Sequence, residues 1–419
     1  MLKYTKLYTN CRFLNNLVVL LMTMSSGVFM FDTSLFLQNI DVKTSKYKLN
    51  LDANKNILYN NKSRKFGLKQ VKNLLNFAKL ISKNPLYQKF GVSIQLGEIE
   101  FEDKLTILLI ECICYYLIFE LNVALSLTYN CKKNIHSEVI DVSPLKYLST
   151  KSPIFSDKFV KKFRLDLNKY HFRRLIRIEE NADGCLASSV MQDVENFLKF
   201  YEIDNEYRNS ISEVVSELVD NAIEHGESDC LIDIDITHDN YRKLLKSAGE
   251  INLSDEHYRG INISIINISN ITIGEKLKTK LDYISDNSTE KYAVVKNAYK
   301  NHSLKWNKHY SENDFYILSS FQHKISGRLN NITGGTGLTK LLEILENKSD
   351  DYNCYMLSGN SQFKFELKHL QYDLNDWLGF NEKNDYLNDI PDSICFTKSP
   401  IYLPGTAYNL NFVFEQEKS

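Results

Sequence analysis

Apolar positions along the chain fall into segments of two periods, and their order predicts the architecture. An extended stretch around Tyr47 to Leu51 precedes a helically spaced segment from Val71 to Ser82, and the run Gly91 to Leu96 reads as a strand. Phe101 to Phe119 is almost uniformly apolar and long enough for a buried helix, after which Asn122 to Thr128 returns to strand character. Strand, helix and strand in that order predict a crossover unit with two parallel strands. After Pro153, a polar, basic stretch with Lys158, Lys161, Lys162 and Arg164 reads as a connection.

A strand from His171 to Ile178 opens the second region, followed by helices Ala187 to Phe200 and Glu206 to His225 and strands Cys230 to Thr237 and Ile261 to Ile268. A helical middle section from Glu290 to His323, a helix starting near Gly337, and strands Tyr352 to Leu357, Gln362 to Leu367 and Ala407 to Phe414 complete the pattern. The expected fold class is α/β (α+β), with helices on one side of a mixed sheet and a smaller α/β domain in front of it. The expected divisions are an N-terminal apolar segment over 1–44, the small α/β domain over 45–160 and the larger domain over 161–419.

Composition narrows the partners. The 419 residues carry 51 Lys and Arg against 52 Asp and Glu, a net charge of −1, so no whole-chain field draws in nucleic acid or an anionic membrane. With 16 glycines and 6 prolines, long flexible linkers are excluded. Eight scattered cysteines without a CxxC pair read as reduced thiols of a cytoplasmic protein. Lys3, Lys6 and Arg12 before the apolar run Leu17 to Met24 and Ser25-Ser26-Gly27 have the order of a signal peptide; a packed helix or a start at Met30 accounts for the same pattern. Leu105 to Tyr129 carries Glu111, Glu120 and Asn122, which are costly in a bilayer, so a buried helix and strand are expected there and a membrane span is not.

The richest chemistry lies in SISEVVSELVDNAIEHGES. Ile211, Val214, Val215, Leu218, Val219, Ala222 and Ile223 define a buried helix face, while Glu217 and Asn221, four apart, emerge one above the other. A carboxamide oxygen can ligate a hard cation and a carboxylate can take a proton from water. A solvated polar face has the same spacing. Downstream, TGGTGLTKLLEIL sets Gly334, Gly335, Thr336, Gly337 and Leu338 at the start of an amphipathic helix, where bare backbone N–H groups and the helix dipole favour phosphate.

The run ELVDNAIEHG resembles the N box of the GHKL superfamily of ATPases and kinases, whose ATP-binding domain is the Bergerat-type α/β sandwich. The resemblance implies ATP and Mg²⁺ as ligands, with Asn221 on the metal, Glu217 as general base, and Glu224 and His225 lining the same pocket. TGGTGL is similar to the family's second glycine box through Gly335, Gly337 and Leu338, and departs from it at Thr339 and Lys340. In ISIINISNITIGEKL, Asn267 stands where the family has the adenine-binding Asp, and Ser269 where it has a glycine. An Asn carbonyl accepts the adenine amino proton more weakly than a carboxylate does. Thr406 in LPGTAYNLNFVF matches the Thr that supports the adenine contact, and Arg328, between the glycine elements, can reach a terminal phosphate or simply sit at the surface. The order VSIQLGEIEFEDKLTILLIECICYYLIFELNVALSLTY resembles the STAS-like domains of anti-sigma-factor antagonists.

These resemblances imply a Mg²⁺-dependent ATP-binding protein that couples binding, hydrolysis or serine phosphotransfer to a regulatory protein partner or a second copy of itself. The alternative is a catalytically inactive nucleotide-sensing or protein-interaction module, motivated by Asn267 and the missing glycines. A sensor histidine kinase is disfavoured, since no His-Glu or His-Asp acceptor helix precedes the N box.

Overall fold

The computed structural model describes residues 31–40, 50–131, 137–201, 203–237, 258–283, 290–326, 337–348 and 354–415. The apolar run Leu17 to Met24 and the start of the stretch Tyr47 to Leu51 lie outside them.

The N-terminal unit holds strands β1 (Asn50–Leu51), β2 (Ile57–Asn60) and β3 (Lys65–Phe66), then helices α1 (Leu68–Lys83) and α2 (Pro85–Gln88). Strand β4 (Val92–Phe101), helix α3 (Lys104–Tyr115), which continues into a π-helical turn, and strand β5 (Leu125–Cys131) follow. β4 pairs in parallel with β2, β3 and β5, so the expected crossover unit forms; β1 joins β2 antiparallel at the edge. All twelve residues of α3 are buried, and its sequence is apolar apart from Thr106 and the two buried charges Lys104 and Glu111. Its start is capped by Asp103, which accepts from Thr106 N at 2.7 Å, and by Asn409, which accepts from Leu105 N at 3.0 Å.

Helix α4 (Ser137–Val142) and helix α5 (Pro153–Arg164) come next. The segment expected as a connection is therefore helical. Pro153 sits in its first turn, and the helix buries Phe159 and Phe163 while its lysines line the outer face. Phe163 stacks on Tyr115 of α3 at 4.3 Å between ring centroids.

The second region builds a six-stranded sheet from β6 (Leu165–Leu167), β7 (His171–Ile176), β8 (Cys230–Thr237), β9 (Tyr258–Asn267), β10 (Tyr355–Lys364) and β11 (Phe396–Glu415). Its order is β10-β11-β9-β8-β7-β6 and every pairing is antiparallel. The parallel pairs belong to the five-stranded sheet, so the molecule combines a mixed and an antiparallel sheet in an α+β fold. The two strands expected at Tyr352 to Leu357 and Gln362 to Leu367 are one strand with register shifts, β10.

Between these strands lie helices α6 (Leu186–Leu198), α7 (Asn205–Glu224), α8 (Glu275–Tyr283), α9 (Glu290–Ser303), α10 (Glu312–Ser320) and α11 (Gly337–Lys348). One face of the sheet, through Phe172, Ile232, Ile234, Ile263, Ile265 and Leu410, shares a core with this helical layer. The opposite face, through Leu175, Leu231, Ile266, Ile268, Leu357 and Ala407, shares a core with the N-terminal unit. Strands covered on both sides explain why all eight residues of β8 are buried. Among the described residues no helix is long and apolar enough to cross a membrane.

Candidate functional site

Helix α7 carries the leading candidates. Asp204 caps it by accepting from Glu206 N and Tyr207 N, and the seven apolar positions read from the sequence are all buried. Glu217 and Asn221 lie half-buried at the margin of that face, Glu224 is exposed and His225 half-buried. The helix ends where the Asn221 carbonyl accepts from His225 N at 2.9 Å and Gly226 N at 3.2 Å, and Glu227 adopts φ 51°. Lys276, one residue into α8, closes this end by donating to the Glu224 carbonyl at 2.7 Å and to Glu227 at 2.6 Å.

The ends of β9 and β11 meet the same helix terminus. Asn267 of β9 pairs in register with Thr406 of β11, and with Cys230 of β8 on its other side. Alternation along β9 places Asn267 with Ile263 and Ile265 on the face toward α7, while Ile266 and Ile268 face the N-terminal unit. The Asn267 amide donates to Ser228 Oγ at 3.2 Å. Ser269 donates to the Gly226 carbonyl and accepts from Ile271 N at 2.9 Å. A side chain at Gly226 would collide with the Asn267 amide, and one at Gly405, whose φ is +89°, would meet the Asn267 carbonyl at 2.4 Å. These two glycines permit the close approach of helix end and strand ends. Ser358, the register partner of Thr406, donates to the Gly405 carbonyl at 2.7 Å.

The glycine cluster divides at the boundary of the described residues. Gly334, Gly335, Thr336 and Arg328 lie outside them; Gly337 begins α11, and Leu338 packs partly buried against the core. Lys340, in the first turn of α11, forms an ion pair with Glu213 of α7. Glu213, Glu217 and Asn221 are successive i, i+4 positions, so this pair sets the first turn of α11 beside the stripe that carries the candidate residues. Lys340 is thus half-exposed and engaged with a carboxylate.

Sequence reasoning missed a second polar cluster, on the reverse face of the sheet. His171 and Arg173 of β7 oppose Asp235 and Asp233 of β8 in register, and α3 adds Lys104 and Glu111. His171 Nε2 lies 2.9 Å from Asp233, Lys104 Nζ lies 2.7 Å from Asp233 and also pairs with Asp235, and Arg173 bridges Asp233 and Glu111, the latter at 2.5 Å. Ser143 donates to Glu111, and Asp166 meets His171 Nδ1 at 3.3 Å. The cluster encloses a cavity of about 10 Å³, room for one water at most. Charges at alternate positions of otherwise apolar strands, HFRRLI and CLIDIDIT, were the available signal.

His171, Asp233 and Asp235 converge closely enough to hold a metal ion. Lys104 and Arg173 already occupy the carboxylates from within the same cluster, so a divalent cation would enter beside two fixed positive charges. The arrangement is an internal ion network joining the N-terminal unit to the sheet. Burial opposes protonation of His171, but Asp233 and Asp235 outweigh it and push its pKa up to about 9. With an unfolded value of 6.5, this group stabilises the fold fully below about pH 6.5, progressively less as pH rises, and not at all above about pH 9. Urea melts across pH 6 to 10 are expected to show a decline of at most about 3 kcal/mol. A His171→Gln variant should lack that slope; an unchanged slope would assign it to other groups.

Comparison of the chain with family models, curated proteins and solved structures finds no significant match.

Proposed function

We propose that this chain is a Mg²⁺-dependent ATP-binding protein of the GHKL, Bergerat-type class, coupling ATP binding, hydrolysis or serine phosphotransfer to a regulatory protein interaction, with a partner or with a second copy. The observation that carries the reading is one of placement. The C-terminal end of α7 meets the register pair Asn267 and Thr406, and the first turn of α11 pairs with Glu213, one turn before Glu217 on the same helix, although these segments are far apart in sequence. That juxtaposition supports the assignments made from the N box, the adenine-site position and the glycine element.

Asn221 offers a neutral oxygen donor on a half-buried helix margin, which fits a hard cation held jointly with phosphate oxygens. Mg²⁺ bound there supplies charge compensation for the phosphates. Glu217, one turn earlier, is the carboxylate placed to hold a proton from the attacking group. Glu224 and His225 border the same helix end, and Ser269 and Thr406 brace the backbone around Asn267. The N-terminal unit, possessing a parallel strand–helix–strand crossover, is compatible with the STAS-like reading and is the candidate recipient of the signal.

A second reading, an inactive nucleotide-sensing or interaction module, is favoured by a specific contact: the Asn267 amide is buried and engaged with Ser228. Titration calorimetry with ATP, GTP and ADP, each with and without Mg²⁺, tests nucleotide binding, and phosphate release on the same protein separates an active enzyme from a sensing module. Mg²⁺-dependent ATP binding is expected; absence of binding by all three nucleotides would overturn the nucleotide reading altogether.

A further inference from the structure

Residues 53–97 contain nine Lys or Arg and no Asp or Glu, in a chain whose overall charge is −1. Four of the nine are displayed by α1. Lys69, Lys72, Lys79 and Lys83 follow spacings of three, seven and four, which places them within one narrow stripe, opposite the buried Val71, Leu74, Ala78 and Ile81. The stripe is about 21 Å long at the rise of an α-helix. Among the described residues none of the four lysines forms an ion pair, and Lys83 repels charge on Lys79, whose pKa is lowered by partial burial and by that neighbour. At the N-terminal end, Glu102 is within the influence of Lys65 and Lys69.

Just past the C-terminal end, Leu86 and Phe90 are 63% and 46% exposed, four residues apart on a turn that continues from α2 and flanked by Lys83 and Lys89. Because the apolar half of α1 is locked in the core, the helix presents only its outer ridge. A ridge of cations ending in two bare apolar side chains suits a flat anionic surface with an apolar interior. It suits a nucleic-acid groove less well, because a half-embedded helix cannot enter one, and phosphate contact leaves Leu86 without a role. We infer that the α1 stripe with Leu86 and Phe90 is a docking surface for an anionic phospholipid membrane, the lysines held by headgroup charge and the two apolar side chains entering the interface. This surface is independent of the nucleotide reading.

The test is sedimentation of the full chain with vesicles of phosphatidylcholine alone or with about 30 mol% phosphatidylserine, at about 50 and about 500 mM salt. Binding is expected only to the anionic vesicles and only at low salt. Replacing Lys69, Lys72, Lys79 and Lys83 together by Gln should weaken partitioning about 1,000-fold, at roughly 1 kcal/mol per lysine. Leu86→Ser with Phe90→Ser should weaken it about 10-fold or more. These positions are outside the core, and an unchanged melting profile verifies that each variant folds. Three results would overturn the proposal: no binding to anionic vesicles at low salt, equal binding by the four-lysine variant, or binding to a short RNA or DNA duplex that is lost in the lysine variant while vesicle binding is absent.

Discussion

Asp233→Ala is expected to lower the unfolding free energy by about 3–5 kcal/mol, the largest effect of any single substitution away from the candidate site. Three cations, Lys104, His171 and Arg173, converge on this carboxylate, and all four groups are buried. Arg173 holds Asp233 ionised well below the usual carboxylate range, together with Lys104 and His171, although burial alone would push the other way. Removing the anion leaves desolvated positive charges facing one another in a medium that screens them poorly. Replacing Asp233 by Leu and Arg173 by Met together should recover much of the loss, because a packed apolar pair carries no such desolvation cost. Urea-melt midpoints at constant slope measure both effects. A loss under about 1 kcal/mol for Asp233→Ala would show that Asp235 and Glu111 absorb the charge unaided. Chelation of divalent metal should leave the melt unchanged, since Lys104 and Arg173 fill the places an ion would take.

The contrast between this network and helix α7 shows which features the sequence displays. An amphipathic helix writes its buried face locally, at three- and four-residue spacings, so α7 and its apolar positions were legible from twenty consecutive residues. Helix α3 was legible too, because burial on every side leaves its sequence almost uniformly apolar, Lys104 and Glu111 excepted. The pairs Asn267 with Thr406 and Asp233 with Arg173 are matters of strand register between distant segments, and local periodicity does not encode register. In β7 and β8 the alternating charges resemble the solvated face of an ordinary antiparallel strand. They face the interior because α3 and the N-terminal unit cover the reverse side, a fact held by residues more than fifty positions away. The short strands β2 and β3 and the edge strand β6 fall below the length at which alternation is distinguishable from loop, whereas β1 lies at the end of the extended stretch Tyr47 to Leu51. Pro404 and Gly405 interrupt β11 just before the pair with Asn267, so only its regular second half stood out.

The same register bears on the proposed function. Asn267 faces α7 while its neighbours Ile266 and Ile268 face the N-terminal unit, and Thr406 and Ala407 divide the two faces in the same way. Under the proposed function, a ligand that shifted the ends of β9 and β11 would also shift side chains packed against the N-terminal core.

Glu217→Gln is expected to keep Mg²⁺-dependent ATP binding and to lower turnover by about 10²–10⁴-fold, whereas Asn221→Ala is expected to abolish the Mg²⁺ dependence of binding itself. The two residues stand one turn apart on the same helix margin, so their separation into different phenotypes is a demanding test of their assigned roles. Gln preserves the shape of Glu217 and removes only its capacity to take a proton; Ala removes from Asn221 the oxygen that a hard cation would bind. Neither side chain belongs to the buried face formed by Val214, Leu218 and Ala222, so both variants should melt within about 1 kcal/mol of the parent. Calorimetry with and without Mg²⁺, paired with phosphate release, reads both quantities on the same preparation. Unchanged turnover in Glu217→Gln would remove the general-base role while leaving nucleotide binding intact. Retained Mg²⁺ dependence in Asn221→Ala would move the metal to another residue. If both variants bind ATP and release phosphate as the parent does, the chemistry assigned to this helix fails as a whole.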